Sequence, residues 1–254
     1  MKKLLLLGLM GLMGLMGNVA QAQFGDYGVR AGLGFATIDD DLGFKTPVTG
    51  VTLGGYINYT FANTESIFAE TLYLQAGLNL NRRGGEFEDV VENGTNMVLR
   101  EGYYHSWYVQ LPILAHLHYE LPLRKRGHVV GVFIGPQVSF GLFGGYGDRK
   151  ISPGVSSPSA NYDVQFNGSP EDRKLFNHLN RFDVGGILGV SYEYGKFNLS
   201  FYLDQGFLAT SEGDDILRII ENAQNNKDIN VKIPNGHNVA YMFSVCYKLG
   251  SLSE

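Results

Sequence analysis

The sequence predicts an all-β protein, an eight-stranded antiparallel transmembrane β-barrel with long external loops. Three observations predict it: a secretory leader, a strict apolar-polar alternation that recurs along the chain, and connections that alternate between short and long.

The leader has its three parts in order. Lys2 and Lys3 supply the positive start, residues 4–16 an apolar stretch too short to cross a bilayer as a helix, and Ala20-Gln21-Ala22 the small residues of a cleavage site. Residues 1–22 therefore read as a signal peptide and 23–254 as an outer-membrane barrel domain. Taking Lys2 and Lys3 from the 20 basic residues leaves 18 against 25 acidic, a net charge of −7, which speaks against a nucleic-acid partner. Beyond the leader no run of about 18 apolar residues occurs, so a helical span is excluded while a barrel is not. Cys246, the single cysteine, excludes an internal disulfide framework and a cysteine-based metal cluster.

The alternation is clearest over residues 107–119. Every odd position is apolar (Trp107, Val109, Leu111, Ile113, Ala115, Leu117, Tyr119), whereas the even positions read Tyr108, Gln110, Pro112, Leu114, His116 and His118. On an extended strand this gives one greasy face and one largely polar face. The same pattern covers 182–194, 196–204 and 239–249 and, more weakly, 27–35, 51–59, 68–81 and 129–140, which completes the set of strands. The apolar face could point inward in a soluble barrel or outward to lipid. The opposite face decides for lipid. It carries charges of both signs (Arg30, Glu120, Asp183, Glu193, Lys196, Asp204 and Lys248), and the apolar face places tyrosines and a tryptophan towards strand ends, as interfacial girdles do.

Connection lengths give an independent test. A medium loop at 37–48 precedes a short turn near Asn63; a long stretch at 82–103 precedes a short one at 121–127; a very long stretch at 142–180 precedes a tight turn at Gly195, and 207–236 is long again. That rhythm, with an even strand number, puts both termini on the periplasmic side of the outer membrane. Ser169-Pro170-Glu171-Asp172 starts a helix leading into Leu175, Phe176 and Leu179, and a second helix follows Asp214 and Asp215. These helices read either as cover for the barrel mouth or as a docking surface.

His116, His118 and Glu120 alternate on one strand and so point together into the lumen, where a His-x-His pair with a carboxylate can ligate zinc. Eight strands, however, enclose only enough room for side chains, and charges held there must pair. The expected arrangement is a lumen polar network of Arg30, His116, His118, Glu120, Asp183, Glu193, Lys196, Asp204 and Lys248, with no metal and no cofactor. His105-Ser106, at the external end of strand four, has the residue types of a rim hydrolase, but nothing fixes an acid to them and no G-x-S-x-G elbow occurs. No catalytic residue is expected. Asp39-Asp40-Asp41 lacks the ligand spacing of a calcium loop, and the glycines of 141–147 lack the Lys-Ser/Thr ending of a phosphate loop.

Several stretches resemble a known family. They are YVQLPILAHLHYE (108–120), IGPQVSFGLFGG (134–145) and RFDVGGILGVSYEYGKFNLSFYLDQGF (181–207), supported by YLQAGLNLNRRG (73–84) and YGVRAGLGFA (27–36). Together they resemble the small outer-membrane β-barrel proteins grouped with PorT, the porin-family or outer-membrane β-barrel domain proteins. The resemblance runs across nearly the whole mature chain. It implies an outer-membrane location, eight strands and, through PorT, an association with type IX protein secretion. The family motif, represented by Leu111-Pro112, is structural and names no catalytic residue. The expectation is an interaction or structural component in contact with outer-membrane lipid. Its loops, or the basic turn Arg124-Lys125-Arg126, would meet secretion-apparatus proteins. A narrow pore and a rim enzyme are the alternatives.

Overall fold

The computed structural model describes residues 22–39, 46–61, 72–93, 96–122, 127–152, 155–156, 160–164, 180–210 and 236–252. The leader up to residue 21, both expected loop helices and Arg124-Lys125-Arg126 lie outside the described residues.

Each alternating stretch falls on a strand over its described residues, 68–71 lying outside them and Lys196 in a turn. In chain order the strands are β1 (Ala22–Asp39), β2 (Val48–Phe61), β3 (Leu72–Asn93), β4 (Asn96–Glu120), β5 (His128–Ser152), the short β6 (Val155–Ser156) and β7 (Ala160–Val164), then β8 (Phe182–Tyr194), β9 (Phe197–Ala209) and β10 (His237–Ser251). Each long strand pairs antiparallel with its sequence neighbour, β5 meets β8, and β10 returns to β1, so the eight long strands form a closed barrel. Closure matters in lipid, because it leaves no edge of unpaired backbone groups within the apolar layer. β6 and β7 stand apart from this ring and pair with the outer part of β5.

Burial follows the sequence alternation with the sense expected of a membrane barrel. Leu33, Phe35, Leu111, Ile134, Leu188, Phe201 and Phe243 are exposed on the outside, while the residues between them are buried inside. The β8–β9 hairpin turns through Gly195 at φ 61°, a left-handed conformation that a side chain would strain. Along β4 the inward set from the end bearing the long connections (the loop end) to the end bearing the termini (the turn end) is Tyr104, Ser106, Tyr108, Gln110, Pro112, Leu114, His116 and His118. Pro112 has no N–H to give, and the ladder skips pairs beside it on both flanks.

The structure departs from the expected loops. Residues 82–103 are mostly strand: β3 and β4 stay paired out to Asn93 and Asn96. Within 142–180, β5 continues to Ser152, still paired with β4 as far as Leu99 and Ile151, and β7 adds to its other side. A membrane strand needs only about 9–11 residues, whereas β4 and β5 have 25 each. β8 starts opposite Phe140, so β5 outruns it. The result is a sheet of β3, β4, β5 and β7 that rises beyond the barrel at the loop end.

A stratified lumen as the candidate functional site

Inward positions of facing strands bring the polar residues together in two layers. At the loop end, Arg83 of β3 reaches across to β8 and β9, bonding Asp183 Oδ2 at 3.1 Å and Asp204 Oδ2 at 2.7 Å. All three residues are nearly inaccessible to solvent. Gln110 donates to Asp204 Oδ2 at 2.8 Å, Asn81 donates to Gln110 Oε1 at 2.6 Å, and Thr52 donates to Asn81 Oδ1 at 2.6 Å. The Leu208 N–H caps Asp183 Oδ1 at 3.3 Å, and the Arg83 guanidinium lies 5.4 Å from the centre of the Tyr108 ring. One guanidinium thus serves two carboxylates in a place buried from bulk solvent, where charge-assisted bonds are strong and an unpaired ion is costly.

An apolar band lies next along the same strands. Leu114, Phe133, Ile187, Tyr202 and Met242 pack with Ala36, Val48 and Ala240. Gly189 makes the closest part of this contact possible, since a Cβ there would sit 2.4 Å from Phe133 Cζ and 2.6 Å from Tyr202 Cβ. The Phe133 and Tyr202 rings meet at 6.1 Å and 59°. This geometry fills the lumen with side chains, as eight strands allow.

The turn-end layer is held by neutral groups. Arg30 donates to Gln75 Oε1 and, at 3.3 Å, to Cys246 Sγ; Gln75 in turn donates to Asn58 Oδ1 at 3.0 Å. Tyr73 donates its hydroxyl proton to Glu193 Oε1 at 3.0 Å and lies 3.0 Å from His116 Nδ1. A hydroxyl has one proton, so this contact makes His116 Nδ1 the donor and leaves Nε2 with its lone pair free. The His116 ring is sandwiched between Tyr73 at 4.5 Å and Phe133 at 4.7 Å. Asn198 also donates to Glu193, at 2.7 Å.

Of the sequence-derived lumen residues, Arg30, His116, Asp183 and Asp204 are buried inside, and Glu193 is half-buried in the Tyr73 cluster. His118 is half-buried with its ring 5.5 Å from Tyr73. The other three sit at the rim, where inward alternation no longer means burial: Glu120 is exposed at the end of β4, Lys196 is exposed in the β8–β9 turn, and Lys248 pairs with Asp26 at 2.6 Å. Among the described residues no three His, Cys, Asp or Glu side chains gather as a metal site. Ser106 faces inward and donates to Tyr104 Oη at 2.5 Å, while the His105 ring stacks on the outward Tyr103 at 5.7 Å. Neighbours on a strand face opposite sides, so this serine and histidine do not meet.

Sequence reasoning missed the neutral members Thr52, Tyr73, Gln75, Asn81 and Gln110 and one buried charge, Arg83, although the signal for Arg83 was present. Gln75, Asn79, Asn81 and Arg83 share one face of β3, but the alternating stretch assigned to this strand stops at 81, so Arg83 falls in the expected loop at 82–103.

An outward apolar wall, a closed ring of strands and a paired polar interior define a small outer-membrane β-barrel. Residues 20–211 match the family described as outer membrane protein beta-barrel domain, and the chain belongs to that family. It is a protein of the outer membrane, in contact with membrane lipid. No curated protein sequence matches the chain. Among solved structures it is similar to Ail, the attachment invasion locus protein of Yersinia pestis, in complex with the heparin analogue sucrose octasulfate, at 10% identity over 89% of this chain and 100% of that one, with a TM-score of 0.35. A second structure of Ail gives 9% identity over the same shares and a TM-score of 0.30.

Proposed function

We propose that this barrel is an interaction component of the outer membrane that presents its projecting β3–β4–β5–β7 sheet to a protein partner, and that the partner belongs to a protein-secretion apparatus. One observation carries the first part: the strands run on far past the bilayer while the lumen between them is filled. A raised sheet offers backbone edges, and an added strand is a common way for one chain to dock on another. Past Glu86, which bridges to Thr46, β3 has no partner on its outer side among the described residues. The secretion partner rests on the resemblance to the PorT group. In this reading the turn end and both termini face the periplasm, and the lumen has a structural rather than catalytic role.

The test is complementation. Deleting the gene is expected to reduce secreted cargo, and the full chain to restore it. A variant with residues 86–103 replaced by Asn-Gly is expected to stay compact in unboiled gels yet fail to restore secretion. Unchanged secretion in the deletion strain contradicts the secretion partner; full rescue by the shortened variant contradicts the projecting sheet as the docking element.

A further inference from the structure

We propose that the outer wall over β4, β5, β8, β9 and β10 holds one anionic glycerophospholipid, with its acyl chains in a groove and its phosphate at His128 and Lys196. The inference is independent of the proposed function. A barrel wall is convex and lipid slides along it, but here it carries a concavity of about 740 Å³. Leu117, Val132, Val190, Leu199, Phe201 and Phe243 line it, all outward-facing and exposed. The small residues Gly131, Ser191 and Ser200 fall between them. A lining of this kind offers acyl chains dispersion contact on several sides, where a flat wall offers one.

Chemistry changes at the turn end of the groove. Following β8 from Val190, the outward residues are Tyr192 and Tyr194, and the hairpin then presents Lys196. The Tyr192 hydroxyl is 2.6 Å from His128 Nδ1, and the His128 ring stacks on Tyr194 at 4.5 Å. The Tyr192 contact occupies Nδ1 and leaves Nε2 for another partner. Lys196 is exposed, with its Nζ 6.0 Å from the Tyr247 ring and no carboxylate partner among the described residues. The nearby acids are engaged or displaced: Asp26 pairs with Lys248, Glu193 faces the Tyr73 cluster, and Glu120 extends from the inward-facing register of β4. Aromatic rings with a cation at the depth of lipid headgroups, directly below an apolar groove, complement a phosphate joined to two chains.

Native mass spectrometry of the full chain, released from nanodiscs of equal phosphatidylglycerol and phosphatidylcholine, tests this. The wild type is expected to retain one phosphatidylglycerol with about fivefold preference over phosphatidylcholine. Lys196→Gln with His128→Gln is expected to bring the preference close to parity while lipid is still retained. Val190→Trp, or Leu199→Trp if the first variant does not fold, fills the groove and is expected to remove retention of both lipids. Leu33→Trp on the far wall is expected to change neither. Equal retention of the two lipids by the wild type overturns the proposal, as does unchanged retention in the groove-filling variant or displacement of phosphatidylglycerol by lipopolysaccharide in the same disc.

Discussion

The two polar layers of the lumen solve the same problem in different ways. At the loop end, charge is cancelled by charge: Arg83 lies between Asp183 and Asp204, ringed by Gln110 and Asn81. At the turn end, charge is spread over neutral groups: Arg30 bonds an amide and a thiol, and Glu193 bonds a phenol and an amide. Removing one member of the ionic cluster leaves bare ions behind. At the turn end, removing the ion leaves an amide or a phenol short of a bond, and removing a neutral member leaves an ion that keeps another bond, as Glu193 keeps Asn198 when the Tyr73 hydroxyl is lost. The first loss is the larger. The loop-end layer is therefore the part of the lumen on which the barrel depends most.

Five variants break or sharpen that contrast. Arg83→Ala leaves two buried carboxylates facing each other and is expected to cost about 3–5 kcal/mol, read as a lower urea midpoint for loss of the compact gel form. Adding Asp183→Asn and Asp204→Asn to an Arg83→Met variant is expected to recover most of that loss, which a purely steric role for Arg83 would not allow. Gly189→Val, in the apolar band between the layers, drives a side chain into Phe133 and Tyr202 and is expected to cost about 1–3 kcal/mol by the same measurement. Arg30→Met removes an ion together with its neutral partners' bonds and is expected to cost about 1–2 kcal/mol, clearly less than Arg83→Ala. Tyr73→Phe has the smallest effect, about 1 kcal/mol. Its more telling readout is the 15N shift pair of His116, which is expected to lose its Nδ1–H preference once the hydroxyl is gone.

The membrane part of the fold was legible in the sequence because lipid demands it. An outward residue such as Leu111 or Phe243 must be apolar, the next must turn inward, and that constraint writes a two-residue period into every span. Outside the bilayer both faces of a strand are wet and the constraint lapses, so the outer parts of β3, β4 and β5 read as loop. The same limit governs the candidate site. Parity placed Asp183 and Asp204 on the inward face, but it could not tell Asp183, sealed among other strands, from Lys196 and Glu120, which share the register at an open rim. Nor could it find the pairing of Arg83 with both aspartates, which depends on how β3 faces β8 and β9 across the lumen rather than on any spacing along the chain.

Two ionic and polar layers around an apolar band make the interior a plug, with the projecting sheet left as the surface on which a partner would act. Conductance of the purified full-length protein in planar lipid bilayers tests this most directly. The filled lumen predicts no discrete current steps at any applied voltage; reproducible steps of porin size, abolished when the barrel is unfolded, would contradict it.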